Sequence, residues 1–254
     1  MDKKTILLAS LTGVLFVTTV MFGLLYFFNN DSDSDNPSQE IASYYESDLE
    51  TVDKHDHLLV DEYFESLPEE DLSQEEIDGL LLMREEEKLA HDIYTKLYEK
   101  WGQKIFNNIS ESEQTHTDMV AELLIKYDIE DPVKSNEVGV FENQDLAYLY
   151  NDLVDQGENS FIDALTVGAT VEDLDISDLQ VLMEQADNED ILTVYQNLTK
   201  GSRNHIRAFT RQLNRNGESY KAQYITEEEY DEIVGSPSEN GVFYDSKGRG
   251  RNMN

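Results

Sequence analysis

Four stretches of this chain carry apolar residues at steps of three and four, and each stripe is interrupted at its middle by residues that can hold charge. The first runs Leu80, Met83, Glu87, Ala90, Tyr94, Leu97 and Trp101. The second runs Phe106, Ile109, Glu113, His116, Val120, Leu123 and Tyr127. A third holds Phe161, Leu165, Gly168, Glu172, Asp175, Leu179, Leu182 and Ala186, and a fourth Ile191, Val194, Leu198, Ser202, His205 and Phe209. Such stripes line one helical face and are buried against other helices. The pattern predicts an all-α protein built on four long helices, starting near residue 73. There Ser73 followed by Glu76 fits a capping box, in which hydroxyl and carboxylate satisfy the first free amides of the helix. The other three helices are expected near 104–127, 161–186 and 190–214. A shorter helix near 145–155, ended by Gly157, lies in the connection between the second and third.

The interruptions carry the functional information. A buried, unpaired carboxylate costs several kcal/mol, so groups that converge must neutralise one another or bind cations. Glu87, Glu113, Glu172 and Asp175, with His116 and His205, would present about four negative charges, enough to balance two divalent ions. Dinuclear iron or manganese bundles use this logic, with one Glu from each of two helices and Glu-x-x-His from each of the others. Positions i and i+3 project from one face, which gives the Glu113–His116 pair its meaning. A lone E-x-x-H is common by chance; four centrally interrupted seams are a far stronger signal. The competing reading is a metal-free core network of salt bridges and hydrogen bonds.

These residues also carry a resemblance. "EEEKLAHDIY" resembles the first metal-binding helix of rubrerythrin-type ferritin-like proteins, placing Glu87, Ala90 and Tyr94 in that pattern. "ESEQTH" is similar to the second-helix E-x-x-H, and "GATVEDLD" to a third helix with its ligand Glu at Glu172 and a further acid at Asp175. More closely, "MREEEKLAHDIY", "SEQTH" and "GSRNHIRAF" resemble an uncharacterised ferritin-like family of bacteria and archaea, over roughly residues 75–230. The resemblance implies a ferritin-like four-helix bundle with a long crossover and a dinuclear centre. Iron is the expected metal, with manganese or zinc as alternatives, and the ligands are Glu87, Glu113, His116, Glu172, Asp175 and His205. The chain departs from the pattern at Ser202, where rubrerythrin-like proteins have a Glu before the fourth-helix histidine; Asp175 is the natural substitute. The cysteine-rich electron-transfer module of rubrerythrins is missing too, so redox turnover would require an external electron donor.

Composition bounds the rest. Across 254 residues the formal net charge is −35, which makes nucleic acid and anionic lipid surfaces poor partners. The absence of cysteine excludes disulfides, thiolate chemistry and iron–sulfur clusters. Lys3 and Lys4 precede Ile6–Phe28, an uncharged apolar run that as a helix would reach about 35 Å, enough to span a bilayer core. No small-residue cleavage site follows it, so residues 1–28 are expected to be an uncleaved signal anchor. The two lysines predict a cytoplasmic N-terminus, with the C-terminal domain outside a single-pass cell membrane protein. Residues 29–72 contain fifteen Asp or Glu and a single Lys, the composition of a flexible tether. Residues 73–216 form the bundle and 217–254 a C-terminal extension, with a short helix after Thr226 and a disordered tail. A homodimer is compatible with this layout.

Several residues are set aside. Glu85, Glu86 and His91 fall off the first seam and read as solvated, Glu86 being the runner-up ligand. Tyr94 and Tyr127 read as core aromatics able to hydrogen-bond a carboxylate. Arg203, Arg207 and Arg211 read as an outer face pairing with acids of the tether or neighbouring helices, and His55–His57 as at most a weak metal site. Asn108 and Asn197 begin N-x-[ST] sequons, but both sit inside expected helices, which argues against modification. The leading expectation is a membrane-anchored ferritin-like protein with oxidase, peroxidase or ferroxidase chemistry. A non-enzymatic surface metal-binding, scaffold or interaction module is the alternative.

Overall fold

The computed structural model describes residue 67 and residues 69–248. The expected membrane anchor, most of the acidic tether, the His55–His57 cluster and the last residues of the tail lie outside the described residues. Among the described residues, no helix is long and apolar enough to cross a membrane.

Among the described residues six α-helices form, the four long ones where the seams predict them. α1 spans Gln74–Trp101; Ser73 and Glu76 close the capping box at its start, and Gly102, at φ 63°, ends it in the left-handed conformation that glycine tolerates best. Only Gly102 and Gln103 separate α1 from α2, Lys104–Lys126, so the two helices return on each other as a hairpin. α3, Gln144–Gly157, is the short helix within the passage to α4, Phe161–Gln185. α5, Glu189–Arg215, follows after a three-residue turn, and α6, Glu227–Gly235, is capped by the Thr226 hydroxyl. α1 packs on α2 and α4 on α5; the pairs meet along α1–α4 and α2–α5, while α3 rests on α1 and α4.

The apolar core falls into two clusters. One includes Tyr94, Leu97, Phe106, Ile109, Leu165 and Phe209; the other includes Leu80, Met83, Val120, Leu123, Leu179 and Leu198. On each long helix the polar seam residues lie between the segments that feed these two clusters, so a charged layer crosses the bundle at mid-height.

The flanks of the helices differ from expectation. Glu85 and Glu86 are buried, each 4% exposed, rather than solvated. Glu85 accepts the backbone N–H groups of Glu142 and Asn143 at the start of α3, which packs against this flank of α1. Glu76 accepts N–H from Asp187 and Asn188 in the α4–α5 turn. Asp173 accepts N–H from Gln223, Tyr224 and Ile225 and the hydroxyl of Tyr220. These buried acids each fasten a connecting segment by supplying acceptors to backbone amides that would otherwise be unsatisfied. Arg207 is also buried, because residues after α6 lie along α5: Arg203 and Arg207 both engage Glu239, and Arg207 reaches the Ile233 carbonyl. Asn197 pairs twice with the Phe243 backbone and Asn204 twice with the Glu239 backbone. The Asn197 amide is therefore engaged, in keeping with the expectation against modification there.

Asp173→Ala should lower unfolding free energy by roughly 3 kcal/mol, since several buried amides lose their acceptor together. Urea denaturation of that variant, beside Asp152→Ala on an exposed position, measures the effect. A loss no larger than the control's would show that the Asp173 contacts do not fasten the extension.

Candidate metal centre

The polar layer is assembled by register: each long helix crosses mid-height with its seam break facing the axis. Glu87, Glu113, His116, Glu172 and His205 are all at least nine-tenths buried and come together there. They form two groups, Glu87 with Glu113 and His116, and Glu113 with Glu172 and His205; within each, potential ligand atoms lie within 4.8 Å of one another. Glu113 belongs to both. Its Oε2 is 2.7 Å from His116 Nδ1 and its Oε1 2.7 Å from His205 Nδ1. The outer acids complete the pattern, with Glu87 Oε2 at 3.3 Å from His116 Nδ1 and Glu172 Oε2 at 3.4 Å from His205 Nδ1. The two imidazoles stack with centroids 5.7 Å apart.

Supporting residues hold these side chains in place. The Tyr94 hydroxyl donates to Glu172 Oε1, and also contacts the Gly168 carbonyl at 3.2 Å. His205 Nε2 meets the Ser112 hydroxyl at 3.1 Å, leaving Nδ1 free to face the acids. This is the arrangement by which a ligating histidine is oriented through its second nitrogen. Gly201 makes room for His116: a Cβ there would lie 2.5 Å from the His116 Nε2. Sequence reasoning passed over Gly201, although a glycine inside a helix costs about 1 kcal/mol relative to alanine and so marks a close approach.

Ser202, three residues before His205 on α5, faces Asp175 on α4. The Ser202 hydroxyl donates to Asp175 Oδ2 and lies 2.9 Å from the Leu198 carbonyl. Asp175 is buried beside the centre but belongs to neither ligand group. His91 is partly exposed and engages Asp92, away from the centre, as its position off the seam predicts.

The electrostatics are those of crowded acids around two bases. Burial opposes ionisation of Glu113, yet His205 and His116 outweigh it and hold its carboxyl well below the usual range. Burial likewise opposes a charged imidazole at His205, but Glu113 and Glu172 push its pKa up to about 10; Glu113 and Glu87 raise His116 in the same way. Burial pushes Glu87 up to about 7 against the pull of His116, and burial with the Glu113 charge pushes Glu172 up to about 7. Burial and the neighbouring acids, Glu87 foremost, raise Asp175 well above its ordinary value.

The donor set fits a divalent metal. Glu87 Oε1, Glu113 Oε1, Asp175 Oδ1 and His205 Nδ1 are buried without a hydrogen-bond partner. Glu113 Oε1 and His205 Nδ1 are close but not aligned as donor and acceptor. Buried polar atoms in native proteins are overwhelmingly satisfied, so several unpartnered donors and acceptors converging on one layer make a set that could hold a cation. Nitrogen and carboxylate oxygen together suit iron, manganese or zinc.

Comparison with known proteins places the chain. Residues 76–237 match a family described as an uncharacterized protein domain, DUF2202. An uncharacterized protein of Methanocaldococcus jannaschii, MJ0754, is 57% identical over 181 residues, 71% of this chain and 98% of its own. The crystal structure of that hypothetical protein superposes with a TM-score of 0.68, covering 68% of this chain and 99% of the other. The family match takes in the four long helices, short of the first two residues of α1, and every residue of the polar layer, and ends before the Glu239–Phe243 segment that lies along α5. The chain belongs to the DUF2202 family.

Proposed function

We propose that the polar layer binds two metal ions, iron in the first instance, bridged by Glu113. The carrying observation is that Glu113 directs one oxygen to each histidine and is the one residue common to both ligand groups. Glu87 and His116 would hold one ion, Glu172 and His205 the other. These three carboxylates fall one charge short of balancing two divalent ions. Asp175, buried beside the centre and hydrogen-bonded by Ser202, would supply the fourth charge once metal offsets the neighbouring acids that oppose its ionisation. A dinuclear iron centre would supply redox capacity toward peroxide or dioxygen. The protein's part is to exclude water with the two apolar clusters, to orient His205 through Ser112, and to fix Glu172 through Tyr94. The fold reading is ferritin-like, with α3 in the long crossover, and the domain is read as extracytoplasmic, held by the N-terminal apolar run and supplied by an external electron donor.

Anaerobic ferrous titration of the purified protein with elemental analysis tests the proposal. Two ions should bind per chain, and the melting temperature should rise because metal binds the folded state. Peroxide-dependent oxidation of the loaded protein separates a redox centre from a storage or structural one. No bound metal and no thermal shift would return the layer to a network of ion pairs.

A further inference from the structure

α5 carries polar residues on two sides. Gly201, Ser202 and His205 face the polar layer, whereas Asn197, Asn204 and Arg203 meet residues 239–243, which run outside the helix. Asn197 donates to the Phe243 carbonyl and accepts the Phe243 N–H, both at 2.9 Å. Asn204 does the same with the carbonyl and N–H of Glu239, again both at 2.9 Å. A side-chain amide offers a donor and an acceptor side by side, so each asparagine completes one residue's backbone as a neighbouring strand would. The two asparagines are two helical turns apart, a rise of about 11 Å, and four extended residues reach at most about 14 Å. The segment therefore runs antiparallel to α5 with little slack, bent at Gly241, whose φ of 76° suits glycine.

Side chains add selectivity. Arg203 grips the Glu239 carboxylate with two hydrogen bonds, at 2.7 and 2.6 Å, and the buried Arg207 adds a third at 3.0 Å. Lys200 lies over the Phe243 ring, 5.4 Å from its centroid, and donates to the Gly241 carbonyl. Main-chain bonds supply affinity whatever the sequence; the arginine pair and the lysine select an acid followed four residues later by an aromatic. The face is more firmly built than its occupant. Asn197 and Arg207 are buried, whereas no residue of 236–248 is, and Val242 packs only partly buried against the second apolar cluster. Segments with few buried apolar contacts open locally at well below the cost of global unfolding. The five residues of the face also fall within the family match, residues 76–237, while the occupant lies beyond it.

We infer that this face of α5 is a docking site for an extended peptide segment of another protein, read as Glu-x-Gly-x-aromatic. Residues 239–243 hold the site as a releasable internal ligand. When they leave, the buried Asn197 amide and Arg207 guanidinium lose their partners, and a segment of the same chemistry restores them. The inference is independent of the metal centre.

The probe is a fluorescein-labelled peptide of residues 237–247, titrated into the full chain and followed by fluorescence anisotropy. In the wild type the tethered segment competes at an effective concentration on the order of mM, so the peptide should bind poorly. Glu239→Ala combined with Phe243→Ala disables the internal segment and leaves α5 untouched. That chain should keep its helical circular dichroism and bind the peptide at least about tenfold more tightly than the wild type does. A peptide carrying Glu239→Gln should bind the same chain about tenfold more weakly than the native peptide. A folded double variant that does not bind the peptide would overturn the site. So would equal binding by wild type and double variant, or equal binding of a scrambled peptide. Loss of helical circular dichroism in the double variant would make the segment part of the fold and overturn its release. A wild type that dimerises, with the peptide dissolving the dimer, would give the face to a second copy and overturn the separate partner.

Discussion

Glu113→Ala should abolish binding of both metal ions. Each ligand group would be left with one acid and one histidine, Glu87 with His116 and Glu172 with His205, and the bridge would be gone. Losing even a residue that only orients a metal ligand typically costs 10–100-fold in affinity, so removing a shared ligand should cost more than about 100-fold at each ion. The fold should survive. Burial opposes charge on His116 and His205, and Glu113 is the largest of the acids that raise them, so its loss eases both imidazoles toward the neutral form that burial favours. Circular dichroism should therefore be preserved while the metal-dependent rise in melting temperature disappears. Glu87→Ala and His116→Ala should each lose one ion rather than two, because the Glu172 side remains whole. Glu111→Ala, exposed on the same helix, should change nothing. Retention of two ions by Glu113→Ala would end the bridging assignment, and equal losses across all four variants would show that stoichiometry does not report on these groups.

Gly201→Ala should remove one ion while leaving the helix intact. The added methyl would meet the His116 ring at 2.5 Å from Nε2, so the ring must swing away from Glu87 and Glu113. On propensity alone the change should stabilise α5 by about 1 kcal/mol, since alanine is the better helix former. The two effects have opposite signs and separate readouts. Metal-free melting temperature should hold or rise only if the displaced ring finds room, whereas stoichiometry should fall from two to one in either case. A variant that is more stable and still binds two ions would show that His116 is not positioned by the glycine. Gly201 is buried in the α5 interior, so the test does not depend on surface effects.

The four interrupted seams were legible because helical periodicity alone decides which residues of a helix share a face. Ser73 with Glu76 marked the start of α1 for the same local reason, and Thr226 marked α6. Periodicity also placed Glu87, Glu113, His116, Glu172 and His205 at seam centres, and the structure brings all five into one layer. It could not say that Glu113 would be shared, because sharing depends on which histidine lies across the bundle, a matter of register between α2 and α5. Nor could it say that Ser202 would hold Asp175, a contact between side chains 27 positions apart on different helices.

Burial of the flanks was decided by tertiary structure alone. Glu85 and Arg207 look like surface residues on a helical wheel, but α3 covers one flank of α1 and the segment after α6 covers α5. A helix's own period fixes the direction in which a side chain leaves the axis; whether it then meets water or another segment depends on packing the helix cannot encode. Glu85 meets backbone amides and becomes structural, whereas its neighbour Glu86, equally buried, keeps one oxygen without a hydrogen-bond partner. Adjacent residues of identical chemistry thus acquire different surroundings, because what distinguishes them is the set of atoms the fold brings to face each one.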